Sequence, residues 1–262
     1  MENTIKVKGL TTFYRDEGEG DPILILHGWG SNADAWHNTQ KELARRGFRV
    51  IAIDLPGFWR TEEPPEPWHL KDYSDFVYEF TQKIDLTYFT LAGHSFGGRI
   101  TIDYATRYSK QLSSIVLISA AGVMRHKKAK IGIMLILTKI GNAIFSIPPL
   151  SFLKPLAQKV WYKFTGEHDY EKASPIMKSV MQRVLEEELY SYLPNITVPA
   201  LILWGDKDTA TPLSDGFVLH KNIPVTHMHV FPDMPHALNL KAPIQVAREI
   251  SLFLKKESLV KR

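Results

Sequence analysis

A serine lies between two glycines at residues 93–97, which read G-H-S-F-G. An apolar run precedes this motif, and a helical pattern follows it. A sharp turn from a strand into a helix projects a serine hydroxyl clear of the sheet, and the glycines let the two backbones approach. The N-terminus of the helix also favours negative charge that develops during a reaction. The motif therefore predicts that Ser95 is a catalytic nucleophile.

A serine hydroxyl is a weak nucleophile, so it needs a general base and an acid that orients the base. His236 follows the last predicted strand, which places it at the carboxyl edge of the sheet where Ser95 also points. Asp206 and Asp208 both follow an earlier strand, and either could be the acid, although aspartates are also common turn formers. The chain order serine, aspartate, histidine is that of one known class of catalytic triad.

Acyl transfer also requires hydrogen-bond donors for the oxyanion. The backbone N–H of Phe96, one residue after the nucleophile, is the first candidate. The second is the N–H of Trp29, in the H-G-W-G loop at residues 27–30. We expect His27 to hold this loop by hydrogen bonds. The substrate pocket predicted from these loops and the following segment comprises His27, Gly28, His94, Met124 and Met134. No metal or cofactor is expected.

Alternating strands and helices position these residues. Fully apolar strands are predicted at 22–26, 50–54, 88–92 and 115–118, with helices at 36–46, 70–84 and 96–108. About seventy residues of helical character follow residue 122 before strands return at 200–204 and 225–231, and a last helix covers 243–256. Apolar strands with helices between them indicate a parallel sheet covered on both faces. A helical insertion therefore interrupts one sheet domain.

With these motifs in order, the chain resembles the α/β-hydrolase family, as a serine esterase or lipase-like member. The shared elements are H-G-W-G at 27–30, D-L-P-G at 54–57, the elbow at 93–97, W-G-D-K-D at 204–208, and Pro235-His236 with Pro243. The resemblance implies Asp208 as the acid and an eight-stranded, mostly parallel sheet with helices on both faces. It also implies a helical cap after the sixth strand, so that residues 1–120 and 196–262 form the core and residues 121–195 the cap.

Departures from the family pattern narrow the expected reaction. Members similar to haloalkane dehalogenases and epoxide hydrolases carry aspartate at the elbow, where this chain has Ser95. Relatives that cleave carbon–carbon bonds usually have asparagine before the serine and tryptophan after the histidine, where this chain has His94 and Ala237. We therefore expect hydrolysis of a carboxylic ester. The alternatives are a carbon–carbon bond hydrolase or acyltransferase with the same triad, or a non-catalytic binding protein. An intact triad argues against the binding protein, which has no need of all three residues.

Composition bounds these hypotheses. The chain has 262 residues, 44% of them hydrophobic, which argues against disorder and allows one large domain. It has no cysteine, which excludes disulfides, thiolate metal sites and a cysteine nucleophile. No apolar run is long enough for a spanning helix, and the first residues lack a signal-peptide pattern, so a cytoplasmic location is expected.

Between residues 123 and 166 the chain is strongly basic and lacks Asp and Glu. Its eight Lys and Arg residues are Arg125, Lys127, Lys128, Lys130, Lys139, Lys154, Lys159 and Lys163. The segment contains no recognised nucleic-acid motif, so no nucleic-acid partner is expected. Ile131, Met134, Leu135 and Thr138 recur at helical spacing beside the lysines. This stripe either packs the cap onto the core or makes a weak, salt-sensitive contact with an anionic membrane, which would suit an ester with an apolar acyl chain.

Overall fold

The computed structural model describes residues 1–123 and 173–260. These residues form an eight-stranded sheet in the order β1-β2-β4-β3-β5-β6-β7-β8. The strands are β1 (Glu2–Val7), β2 (Leu10–Glu17), β3 (Asp21–Leu26), β4 (Phe48–Ile53), β5 (Phe89–His94), β6 (Leu112–Ile118), β7 (Ala200–Gly205) and β8 (Thr226–Phe231). The β1/β2 and β2/β4 pairs are antiparallel, and the pairs from β4 through β8 are parallel. The mostly parallel sheet predicted from the sequence is confirmed.

Helices cover both faces of this sheet. The described helices are α1 (His37–Arg45), α2 (Leu70–Lys83), α3 (Phe96–Arg107), α4 (Pro175–Glu186), α5 (Leu213–Asn222), α6 (Leu238–Lys241) and α7 (Pro243–Val260), with 3-10 turns at Ala33–Trp36, Ser109–Gln111 and Tyr190–Asn195. Two buried clusters result, one beneath α2 and α3 and the other beneath α1 and α7. The central strands are buried on both sides, which accounts for their largely apolar sequence.

The first hairpin is not revealed by the apolar pattern. In β1 only Ile5 and Val7 are aliphatic, and exposed residues alternate with less exposed ones along the strand. Lys8 and Gly9, with φ of +47° and +82°, make the tight turn into β2. Positive φ at both central residues is the geometry that two-residue hairpins require. β1 is a strand because it pairs with β2, since its own residues do not form a continuous apolar run.

Of the predicted cap, the described residues are 121–123 and 173–195, and the second range contains α4 and the 3-10 turn at Tyr190–Asn195. The Leu189 N–H donates to the carbonyl of Gly122 over 3.1 Å, so the end of this segment lies beside the end of β6. Met124, Met134 and the basic stretch from Arg125 lie outside the described residues, and the exact cap boundaries stay a prediction. Within 1–123 and 173–260, no helix combines the length and hydrophobicity needed to cross a membrane.

Close approach of β3 and α3 is the packing constraint that positions the predicted nucleophile. A Cβ at Gly97 would clash with the carbonyl oxygen of Leu26, and one at Gly98 would overlap the Ala120 side chain. The Gly97 N–H donates to the His27 carbonyl over 3.1 Å. Only glycine allows this contact, because any side chain would push α3 away from the end of β3.

We therefore expect Gly97→Ala to lower the free energy of unfolding by about 3 kcal/mol or more, since the clash is with rigid backbone. Gly47→Ala is the matched control. Gly47 has φ of +89° and open space around it, so its substitution should cost only the backbone strain of about 1–2 kcal/mol. Urea unfolding of both variants measures the difference, and equal losses would contradict the packing argument.

Candidate active site

Ser95 lies between β5 and α3 with φ of +51° and ψ of −109°, a combination outside the ordinary regions for a residue with a side chain. Its N–H donates to the Ile118 carbonyl over 3.1 Å, and its carbonyl accepts from the N–H groups of Ala121 and Arg99. Neighbouring elements thus hold the strained residue on both sides. Strain of this kind is typical of a nucleophile elbow and holds the serine at the carboxyl edge of the sheet.

The loop after β3 supplies the second part of the site. The Gly28 carbonyl accepts hydrogen bonds from the His27 ring over 2.7 Å and from the Ser31 N–H over 3.1 Å. In the described part of the chain, no backbone hydrogen bond occupies the Trp29 N–H. The Phe96 N–H is the first of α3, where no intrahelical acceptor exists. The two N–H groups predicted for the oxyanion are thus both available as donors.

His27 supports this loop from below. Its ring is completely buried, and its Nε2 accepts from the Leu55 N–H over 2.9 Å while Nδ1–H donates to Gly28. Burial lowers the pKa of His27 to about 4, against opposing contributions from Gly28 and Asp54, so the ring is neutral at physiological pH. Both ring nitrogens form hydrogen bonds with backbone groups. The prediction that His27 lines the pocket is therefore corrected, and the residue has the structural role that was also expected.

Asp208 and His236 meet at the same edge of the sheet. The Asp208 Oδ2 lies 2.8 Å from the His236 Nδ1. The Asp208 side chain is fully buried, whereas 26% of the His236 side chain is exposed. Asp206, the other candidate, is exposed on the turn after β7. The structure therefore brings Asp208 to the histidine and leaves Asp206 in solvent.

Hydrogen bonds keep the Asp208 carboxylate charged and fixed. Its Oδ1 accepts from the Ala210 and Thr211 N–H groups, each over 2.9 Å, and its Oδ2 accepts from the Thr211 hydroxyl over 2.9 Å. Burial raises the pKa of Asp208, but the hydrogen bond and charge of His236 and the Thr211 N–H outweigh it, so the pKa lies below its usual value. Thr211, three residues after Asp208, positions this carboxylate, and no prediction from the sequence included it. The available signal was the spacing of the two residues, which is typical of a turn closed by a side-chain hydrogen bond.

The Ser95 hydroxyl is the remaining member. Among the described residues, no hydrogen bond joins Ser95 Oγ to the His236 ring. Gly28 lies close to both Ser95 and His94, and the His94 ring lies beside that of His236. A Cβ on Gly28 would lie 3.3 Å from Ser95 Cβ and 2.9 Å from His94 Nδ1, and the His94 ring centroid is 4.7 Å from that of His236. Hydrogen bonds between a nucleophile and its base are often long without substrate.

His94 is the link between the elbow and the histidine loop. Its Nε2 lies 3.0 Å from the His236 carbonyl, to which the ring N–H donates. Burial lowers the pKa of His94 to about 4, with the nearby His236 acting in the same direction. The residue is almost completely buried, so the predicted pocket role of His94 is also corrected: this ring positions His236.

Aromatic rings form the wall beside the oxyanion loop. Trp29 makes edge contacts with Phe58 at 4.9 Å and with Phe96 at 5.3 Å between centroids, and Tyr73 packs on Phe96 at 5.1 Å. Trp29, Phe58 and Met177 line a cavity of about 400 Å³. Phe58 and Met177 could not be predicted from the sequence, because they belong to the loop after β4 and to α4, which only the fold brings together.

Candidate metal ligands are not clustered here. In the described ranges, no group of three or more histidine and carboxylate side chains is placed to hold a metal ion. The chemistry that the arrangement supports rests on a serine hydroxyl, an oriented imidazole and two backbone N–H groups.

Comparisons with known proteins point to the same fold. A family model described as alpha/beta hydrolase fold matches residues 21–139. Lipase 1 of Psychrobacter immobilis is 25% identical over 96% of this chain and 85% of its own length. A 2-hydroxy-6-oxononadienedioate/2-hydroxy-6-oxononatrienedioate hydrolase of Comamonas testosteroni is 25% identical over 89% of this chain and 88% of its own length. The crystal structure of a bacterial membrane phospholipase A superposes with a TM-score of 0.78 at 25% identity, covering 98% of this chain and 86% of that one.

The first prediction from this site separates the two aspartates. Asp208→Asn presents an amide to His236 Nδ1 and favours the wrong tautomer, so kcat on an ester should fall by about 10³–10⁴-fold. Asp206→Asn, two residues away and exposed, is the matched control and should change kcat by less than about twofold. Steady-state kinetics of both variants gives the ranking, and the reverse order would reassign the acid.

The second concerns His94 and pH. Its pKa of about 4 in the folded protein lies below the ordinary 6.5, so between these values the unfolded chain binds a proton that the folded one does not. Stability should therefore fall as the pH drops from 6.5 towards 4. His94→Gln keeps an N–H donor but does not titrate, so its urea midpoint should fall less between pH 7 and pH 5 than that of the parent. An equal fall would show that His94 does not contribute.

Proposed function

We propose that this chain, whose sheet and helices have the α/β-hydrolase fold, is a serine hydrolase of carboxylic esters. The observation that carries the proposal is the 2.8 Å contact between Asp208 and His236 at the edge of the sheet where the strained Ser95 projects. A buried carboxylate on the Nδ1 side of an imidazole leaves Nε2 as the base that a serine nucleophile needs.

The reaction proceeds in two steps. Ser95 Oγ attacks the ester carbonyl carbon while His236 Nε2 takes its proton, and the N–H groups of Trp29 and Phe96 donate to the oxyanion. The tetrahedral intermediate collapses, and His236 returns the proton to the departing alcohol. Water then attacks the acyl-enzyme with His236 again as base, and Ser95 is regenerated with release of the acid. Asp208 stabilises the cationic His236 in both steps. These steps use the chain's own groups.

Local features favour ester hydrolysis over carbon–carbon cleavage. His94 is occupied in supporting the His236 loop, and Ala237 follows the histidine, so neither position carries the residue usual in carbon–carbon hydrolases. The lining of the cavity beside Trp29 includes the apolar side chains of Phe58, Ala173 and Met177, which suit an apolar substrate group. Identity to the lipase and to the carbon–carbon hydrolase is equal at 25%, so the assignment depends on these local features.

Turnover of p-nitrophenyl esters from acetate to palmitate tests the proposal. The parent should hydrolyse members of the series, and Ser95→Ala and His236→Ala should each lower kcat by about 10⁴-fold or more, because triad members act as a unit. Ser214→Ala and His220→Ala replace exposed residues on α5 and are the matched controls. Near-normal activity of Ser95→Ala would refute the mechanism. Turnover of a carbon–carbon substrate but of no ester would favour the rival activity.

A further inference from the structure

A cavity lies beside the oxyanion loop, with Trp29 and Gly30 of that loop in its lining. Trp29 forms its near wall and packs on Phe96, the residue directly after the nucleophile. Phe58 and Met177 line it further, and the Met177 side chain lies against Gly57. A substrate group that extends from the reacting carbonyl towards Trp29 would enter this space of about 400 Å³, which is lined by Trp29, Phe58 and Met177 and also by Glu63 and Ser174. This volume is in the range of small-molecule sites.

Glu63 is the only charged side chain among the described residues that line this cavity. Its Oε2 accepts from the Ser174 hydroxyl over 2.6 Å. That hydroxyl also accepts from the Met177 N–H over 3.1 Å and so caps α4. Glu63 is half-buried, and its carboxylate is held at the junction of the loop after β4 with α4.

The charge of Glu63 reaches the neighbouring buried groups. The pKa of the Tyr73 phenol is raised, first by burial and then by the negative charges of Glu63 and Asp72. Charges interact over longer distances between apolar walls than in bulk water, because the effective dielectric constant is lower there. A second negative group in the cavity would meet the same field.

We propose that Glu63 sets the charge selectivity of this cavity: it admits an apolar substrate arm with a neutral or cationic end and rejects an arm with an anionic end. The inference rests on the proposed ester hydrolysis and assigns the substrate class to it. Two like charges in a partly desolvated space repel, whereas an ammonium gains a partner for the charge that it must desolvate. The apolar stretch binds Trp29, Phe58 and Met177.

Matched esters that differ only in terminal charge test the proposal. The acyl series is p-nitrophenyl hexanoate, p-nitrophenyl 6-aminohexanoate and mono-p-nitrophenyl adipate, which are neutral, cationic and anionic at pH 7.5. The alcohol series is 3,3-dimethylbutyl acetate, acetylcholine and 2-acetoxyethanesulfonate, followed by pH-stat titration. The arm that occupies the cavity belongs either to the acyl part or to the alcohol part of the ester. Charge selectivity in one of the two series therefore supports the proposal. The quantity measured is the ratio of kcat/KM for the cationic and anionic members.

Glu63→Gln removes the charge but keeps an oxygen that can accept from Ser174. In the parent the cation-to-anion ratio should exceed about tenfold, and Glu63→Gln should lower it by about fivefold or more. Glu66→Gln is the matched control, since Glu66 lies in the same loop but is exposed and outside the cavity lining. Its ratio should stay within about twofold of the parent. Ser174→Ala breaks the hydrogen bond but leaves the charge, so it should keep the preference for cations.

The outcomes separate this proposal from the general one. Ester turnover with an unchanged ratio in Glu63→Gln, in both series, overturns the role of Glu63 and leaves the hydrolase intact. An equal drop in Ser174→Ala assigns the effect to the position of α4 and also overturns it. No turnover of the neutral esters overturns the proposed function, and this inference with it. In the parent alone, 1 M NaCl should reduce the ratio, since a half-buried charge is partly screened; a ratio that does not change with salt contradicts the proposal.

Discussion

The contact between the first turn of α3 and the end of β3 is the constraint on which the site depends. The Gly97 N–H bonds to the His27 carbonyl, and no side chain fits between these two backbones. This one approach joins the elbow that carries Ser95 to the loop that carries the Trp29 N–H. This contact therefore holds Ser95, proposed as the nucleophile, beside the two N–H groups proposed for the oxyanion, which favours preorganised donors.

Histidines organise the loops around this unit. His27 bonds the loop after β3 to Leu55, and His94 bonds the elbow to the carbonyl of His236. Burial keeps both rings neutral at physiological pH, because a charged imidazole in these positions would lose its hydration and the nearby carboxylates, which are not hydrogen-bonded to the rings, offset only part of that loss. His236 differs in both respects, since it is partly exposed and bonded to Asp208. The environment of each ring thus decides whether it supports backbone or is available for proton transfer.

A third set of contacts ties the segment around α4 to the core. The Arg99 side chain, one turn after Ser95, donates to the carbonyls of Val184 and Glu187. The Glu187 carboxylate accepts from the Leu70 N–H over 3.0 Å at the start of α2. Burial lowers the pKa of Arg99 to about 10, yet it remains charged at neutral pH. The wall of the cavity formed by α4 is therefore held by α3, the helix that begins directly after Ser95.

Most of this architecture follows from local sequence. The apolar strands, the helices between them and the elbow are each encoded by residues close together in the chain, and the fold places them where the patterns indicate. The first hairpin and α5 are not revealed in this way. The hairpin depends on pairing with β4 through β2, and α5 contains a glycine and polar residues whose helical state is decided by packing.

The sequence by itself determined which residue types could serve as nucleophile, base and oxyanion donors, because the turn chemistry of the elbow and of the H-G-W-G loop is local. The choice of Asp208 over Asp206 came from resemblance, and only the tertiary structure shows its physical basis, a carboxylate that is buried and bonded to Thr211 and His236. The structure also decided that His27 and His94 face backbone rather than substrate, and that Glu63 meets Ser174 across more than a hundred residues. Such contacts join chain segments that are distant in sequence, so no local pattern records them.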